Sequence, residues 1–192
     1  MMKKFISLLC LMAIIALDLH AQGDGKGYKG YVDAGYSIGV GDYDLGRVEI
    51  NTSHGYQFSP FVFLGAGTGL HFMSSYKTKG MEIPLDVRDS KVDVPVFANV
   101  RAHFCKGKVA PFVDLKGGTY VTNGGGLYAN VSAGVRWALN DKQGISLSVG
   151  YASEKLKFEV FDSFYDHDDM DYTRIGRLYT TEAVTVKLGL DF

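Results

Sequence analysis

The sequence predicts an all-β chain: an eight-stranded, up-and-down antiparallel transmembrane β-barrel behind an N-terminal signal peptide. Three observations predict it. Apolar residues recur at every second position over stretches of about ten residues, the length of a tilted strand that crosses a bilayer. Glycines share the parity of the charged residues in nearly every stretch. The connections alternate between tight turns and longer loops.

The first segment, "MMKKFISLLCLMAIIALDLHAQG", places Lys3 and Lys4 before an apolar run at 5–17 and a small residue at Ala21. This is the layout of a secretory signal peptide, with cleavage expected between Ala21 and Gln22. The apolar run falls short of the ~20 residues of a spanning helix, and Asp18 and His20 interrupt its end. Residues 1–21 are therefore read as the signal and 22–192 as one barrel domain. Cys10 leaves with the signal; Leu9 before it is too large for a lipobox. Cys105 is then the only cysteine left, so no intramolecular disulfide is expected.

Lys and Arg number 20 against 21 Asp and Glu, which excludes a basic nucleic-acid surface. There are 24 glycines and only 4 prolines. No apolar run after the signal reaches the length of a membrane helix. Mean hydropathy alone would suggest a soluble secreted domain, so the case for a membrane rests on periodicity.

The first stretch sets Val32, Ala34, Tyr36, Ile38 and Val40 against Asp33, Gly35, Ser37 and Gly39. The second sets Val48, Ile50, Thr52, Tyr56 and Phe58 against Arg47, Glu49, Asn51, Ser53, Gly55 and Gln57. In the third, Val62, Leu64, Ala66, Leu70 and Phe72 oppose Gly65, Gly67, Gly69 and His71. The fourth runs from Val92 to Phe104, with Asp93, Asn99, Arg101 and His103 on its polar side. The fifth carries Val113, Leu115 and Val121 against Asp114, Lys116, Gly118 and Tyr120; the sixth carries Ala129 to Leu139 against Asn130, Ser132, Gly134 and Arg136. The seventh sets Ile145, Leu147, Val149 and Tyr151 against Ser146, Ser148 and Gly150. The last, "VTVKLGLDF", sets Val184, Val186, Leu188, Leu190 and Phe192 against Thr185, Lys187, Gly189 and Asp191, so its pairing is expected to continue to Phe192.

Tight turns are expected at 58–60, 105–110 and 140–144, where Pro, Gly, Asn and Asp cluster. Longer links are expected at 74–91 and 154–179, with shorter ones at 41–46 and 123–126. A transmembrane barrel sorts its connections this way, turns at the periplasmic end and loops outward. A soluble barrel has the same alternation with the apolar face inside. The glycines decide against it: a narrow barrel that encloses long Arg, Lys and Glu side chains needs neighbours with no side chain.

"HGYQFSPFVFLGAGTGL", "VPVFANVRAHF" and "APFVDLKGG" together resemble the small outer-membrane β-barrel domain family of Bacteroidetes, which is similar in architecture to OmpX and the transmembrane part of OmpA. The resemblance covers the whole chain after the signal. It implies a Gram-negative outer-membrane location and no transferable catalytic motif. Phe192 at the end of an alternating strand looks like the signal that the barrel-assembly machinery reads.

The candidate residues fall into two sets. Asp33, Arg47, Glu49, Asp93, Arg101, Asp114, Lys116, Arg136, Lys187 and Asp191 are expected to meet inside the barrel as a polar network of ion pairs that plugs it. A gated pore, in which those pairs exchange partners, is the sharper alternative. Phe161, Phe164, Tyr165 and Tyr172, interleaved with Asp162, Asp166, Asp168, Asp169 and Asp171 around His167, are expected to form an outward loop with a contact surface for a protein partner. The spacing of those acids does not fit an EF-hand, and no metal is expected. "GAGTG" at 65–69 continues a strand where a nucleotide-binding loop opens a helix, so no cofactor is expected. Ser53, Ser74, His54, His71 and His103 show no triad order, and no enzyme is expected. Tyr31, Tyr36, Tyr56, Tyr120, Tyr128, Trp137 and Tyr151 are read as membrane-interface aromatics. Partners are expected to be membrane lipids and lipopolysaccharide, the assembly machinery and a surface protein; nucleic acid is not. The expected role is structural or adhesive, with a transport accessory and a lipid hydrolase as second and third readings.

Overall fold

The computed structural model describes residues 26–78, 86–140, 142–165 and 170–192, with the backbone alone described at 161–165 and 170–174. Residues 1–21, read in the sequence as a signal peptide, lie outside the described residues. Every regular element among the described residues is a strand: β1 (Gly27–Val40), β2 (Arg47–Ser59), β3 (Val62–Met73), β4 (Tyr76–Lys77), β5 (Asp86–Arg88), β6 (Lys91–Asp93), β7 (Pro95–His103), β8 (Val109–Tyr120), β9 (Leu127–Ala138), β10 (Gly144–Tyr165) and β11 (Met170–Asp191).

Eight wall strands form a closed meander. β1 pairs with β2, β2 with β3, β3 with β7, and so on to β10 and β11, all antiparallel. β11 then returns to β1, from Val40↔Glu182 to Tyr31↔Asp191, which leaves no free edge in the wall. β6 and β7 share one register on β3, with His71↔Asp93 and Thr68↔Val96. Val94 separates them, and Pro95, which has no N–H to give the ladder, opens β7.

Parity sorts the side chains as period two requires. Outside lie Ile38 (57% exposed), Val149 (54%) and Leu188 (67%), each on the apolar parity of its strand. Inside lie Glu49 (0%), Arg47 (2%) and Lys187 (3%). A water-soluble domain has the opposite distribution; an apolar belt around a polar interior is the distribution of a membrane-spanning barrel. The glycines supply interior room. A Cβ on Gly67 would lie 2.5 Å from the Phe97 ring, and one on Gly69 would overlap the Asn51 amide oxygen.

Three expectations need correction. Residues 154–179 are not a loop: β10 and β11 pair without a break from Gly144↔Asp191 to Tyr165↔Met170. The neighbouring strands stop much earlier, β9 at Tyr128↔Glu154 and β1 at Val40↔Glu182, so the hairpin projects beyond the wall. The link at 74–91 holds a small hairpin of its own, β4 on β5, which continues the sheet onto β10 at Glu159↔Val87. Tyr31, Tyr120 and Tyr128, read as interface aromatics, are buried inside the barrel. Their parity is that of Asp33, Lys116 and Asn130, and parity overrides the general preference of Tyr for the membrane interface. Tyr36, Tyr56, Trp137 and Tyr151 do face outward.

Candidate functional site

The interior is a stack of side chains with an apolar cap. At the outward mouth Leu45, Met73, Leu156 and Phe158 pack with Tyr43, Tyr76 and Tyr179, continuous below with Phe97, Tyr120 and Tyr128. Tyr43 stacks on Tyr179 at 4.7 Å between ring centres and tilts against Phe158 at 4.9 Å. Apart from Met73 at the end of β3, the cap residues come from the β1–β2 loop, the β4–β5 hairpin and the projecting part of β10–β11, so the outward connections largely close the mouth themselves.

Beneath the cap, Arg47 on β2 lies between two acids. Its Nε donates to Glu49 at 3.2 Å, and its Nη1 to Glu154. Glu49 also takes Lys187, 3.1 Å away, and Lys187 donates onward to Asn130 at 2.9 Å. Tyr120 bonds the second oxygen of Glu154 and, at 2.8 Å, Nδ1 of His71. Nε2 of His71 reaches the Asn51 carbonyl at 3.1 Å, and the Asn51 amide donates to Asp33 at 3.2 Å.

The Asp33 carboxylate accepts from the NH₂ of Asn51, so the Asn51 oxygen faces Nε2 of His71. The Tyr120 hydroxyl donates to Glu154 and lies against Nδ1 of His71.

Further down, Asp33 takes Lys116 at 2.5 Å, and Asp114 takes Arg101 at 2.6 Å and Asn99 at 2.9 Å. The Arg101 guanidinium lies between two rings, 4.0 Å from the centre of Tyr31 and 4.5 Å from that of Phe112. At the lower rim, Asp191 receives Arg136 from Nε (2.9 Å) and Nη2 (2.7 Å), and Lys29 at 2.9 Å. Asp93 pairs with Arg88 near the outward end, supported by Asn123 at 2.8 Å. Each of the ten charged residues singled out in the sequence meets an opposite charge inside the barrel. The network also draws on Asn99, Asn123 and Asn130, and on Glu154, Arg88, Lys29, His71, Asn51 and Tyr120. The last three were legible from parity; Glu154 and Arg88 were hidden in segments read as loops.

Phe192 bonds back to β1 through both backbone groups of Gly30 (2.9 and 3.0 Å). Its ring lies where a Gly30 side chain would be, 2.5 Å from that Cβ position. On the same outer face His54 bonds Tyr28 at 2.5 Å and Thr52 at 2.8 Å, while Ser53 points into the interior, so strand parity separates this His from its adjacent Ser. Phe161, Phe164, Tyr165 and Tyr172 have backbone positions on the projecting hairpin, and their side chains lie outside the described residues, as do Asp166, His167, Asp168 and Asp169. Among the described residues no group of three or more His, Cys, Asp or Glu is arranged to hold a metal ion.

No family model and no curated protein matches the chain. Among solved structures it is similar to a de novo designed transmembrane β-barrel, at 16% identity and a TM-score of 0.43, over 90% of this chain and 100% of that one. It is also similar to the outer membrane protein AlkL, determined by solid-state NMR in DMPC bilayers, at 11% identity and a TM-score of 0.47, over 91% of this chain and 93% of that one.

Proposed function

We propose that this chain is an integral, non-enzymatic protein of the Gram-negative outer membrane, a filled barrel that serves as a platform for its outward hairpins, with a structural or surface-binding role. One observation carries the reading: the pairing of β10 with β11 continues from Lys155↔Thr180 to Tyr165↔Met170 after both neighbouring strands have stopped. A strand pair of that length serves no purpose in the wall, and in a membrane it stands in the outer solvent. The side chains that close the lumen are buried and paired, which favours a plug over a conduit. The partners of this reading are the surrounding lipids and lipopolysaccharide, the assembly machinery during insertion, and a protein met by the hairpin.

The test joins localisation to exposure. An epitope inserted within 166–169 is expected to be labelled on intact cells, and the membrane fraction to show a heat-modifiable band. Deleting 159–175 is expected to keep that band and abolish surface binding. The purified barrel in a planar bilayer is expected to show no conductance steps. A folded monomer that stays dissolved without detergent overturns the membrane reading; stepwise conductance replaces the plug with a gated pore.

A further inference from the structure

We propose that the outward rim of the β9–β10–β11 wall binds the phosphorylated headgroup of an outer-leaflet lipid through Lys155 and Lys157. The inference rests on the outer-membrane reading above. The lipid-facing side of β10 runs Ile145, Leu147, Val149, Tyr151, Ser153, and the next two residues on that face are Lys155 and Lys157, both exposed. The stretch 145–153 matches the length of a tilted strand across the hydrocarbon core, about 9–11 residues. Both ammonium groups therefore leave the wall at headgroup level.

The surface beside them is apolar. Leu178 is directly opposite Lys157 in the β10–β11 register and is 52% exposed. Leu127 is 64% exposed, next to Gly126, whose N–H bonds the Lys155 carbonyl at 2.8 Å. Two cations flanked at their own level by two exposed leucines match a phosphate joined to the top of an acyl chain. The lysine stems lie along the apolar surface, and their heads take up the polar level.

Lys157 is also held in place. Its stem crosses Gly176 on β11, where a Cβ would overlap Lys157 Cε, and a Cβ on Gly124 would stand 3.2 Å from Lys157 Cδ. Both glycines leave a trough in which the chain lies flat, with its charge over the β10–β11 seam. Among the described residues no carboxylate forms an ion pair with either lysine, so their charge is available to a ligand. Glu159, two residues further along the same face, marks the outward limit of the site.

The experiment counts lipid retained by the full barrel in detergent micelles, using native mass spectrometry. The probes are diphosphoryl lipid A, the same lipid stripped of phosphate, and inorganic phosphate. Lipid A retention is expected to fall about tenfold or more in Lys155→Gln/Lys157→Gln. It is expected to fall severalfold in Gly176→Val, which displaces Lys157 and leaves both charges. Lys142→Gln at the opposite rim is expected to bind as the parent does. Stripped lipid is expected to bind about tenfold more weakly than lipid A. Unchanged retention in the double variant overturns the inference, and so does inorganic phosphate that displaces lipid A at equal concentration. A heat-modifiable barrel that ignores these lysines sinks this inference alone; a chain that folds without detergent sinks the membrane reading beneath it.

Discussion

Glu154→Leu tests the interior network at the residue on which most of it converges. The carboxylate is 2% exposed, accepts from Arg47 and Tyr120, and has Thr181 Oγ1 at 3.4 Å. Its removal leaves Arg47, also 2% exposed, with Glu49 alone, and takes away one neighbour of the Tyr120 hydroxyl. Breaking one side of a buried pair costs about 3–5 kcal/mol, because the remaining charge stays desolvated. With a guanidinium m-value of about 4 kcal/mol/M, the unfolding midpoint in lipid vesicles falls by about 1 M at unchanged m. The companion variant Arg47→Met/Glu154→Leu removes both charges and leaves Glu49 paired with Lys187, so it is expected to return to within about 1 kcal/mol of the parent. The assay is the loss of the folded, heat-modifiable band against denaturant. A single variant that costs less than about 1 kcal/mol, or a double variant as unstable as the single, refutes the pairing argument.

Two further outcomes follow from the wall. Val186→Arg puts a charge on the lipid face opposite Val149, midway across the wall, and is expected to cost about 2–4 kcal/mol in a bilayer, with Val186→Ile nearly neutral; vesicle unfolding measures both. Gly30→Leu fills the space taken by the Phe192 ring and is expected to slow the appearance of the folded band severalfold in refolding into vesicles, whereas Phe192→Leu/Gly30→Leu is expected to recover part of that rate.

Strict alternation made the wall legible in the sequence. From Val32 to Val40, or from Val184 to Phe192, each inward residue is polar or small and each outward one apolar, so the strands and the orientation of their faces follow directly. The projecting hairpin was hidden for a physical reason. Past Glu154 the outside of the strand leaves the hydrocarbon for headgroups and water and the inside meets the apolar cap, so the code inverts: Lys155 and Lys157 face out while Leu156 and Phe158 face in. A reader tuned to one hydrophobic face sees the pattern collapse there and writes a loop. Tyr31, Tyr120 and Tyr128 mislead differently. Amino-acid type suggested a belt at the interface, whereas register with Asp33, Lys116 and Asn130 placed them among the charges. The partners within the network were illegible, since Lys116 with Asp33 and Arg47 with Glu154 join residues far apart in sequence, whose meeting depends on the stagger of the closed sheet.

The seam between β1 and β11 joins the most distant segments of the barrel, and every other wall ladder joins successive wall strands. During synthesis β1 therefore emerges early and then waits for nearly the whole chain before its second ladder can form. For that interval it presents a raw edge, ready to zip onto any passing strand. The vulnerable moment of this molecule is the interval before closure, when one uncovered edge stands between a sealed cylinder and an aggregate.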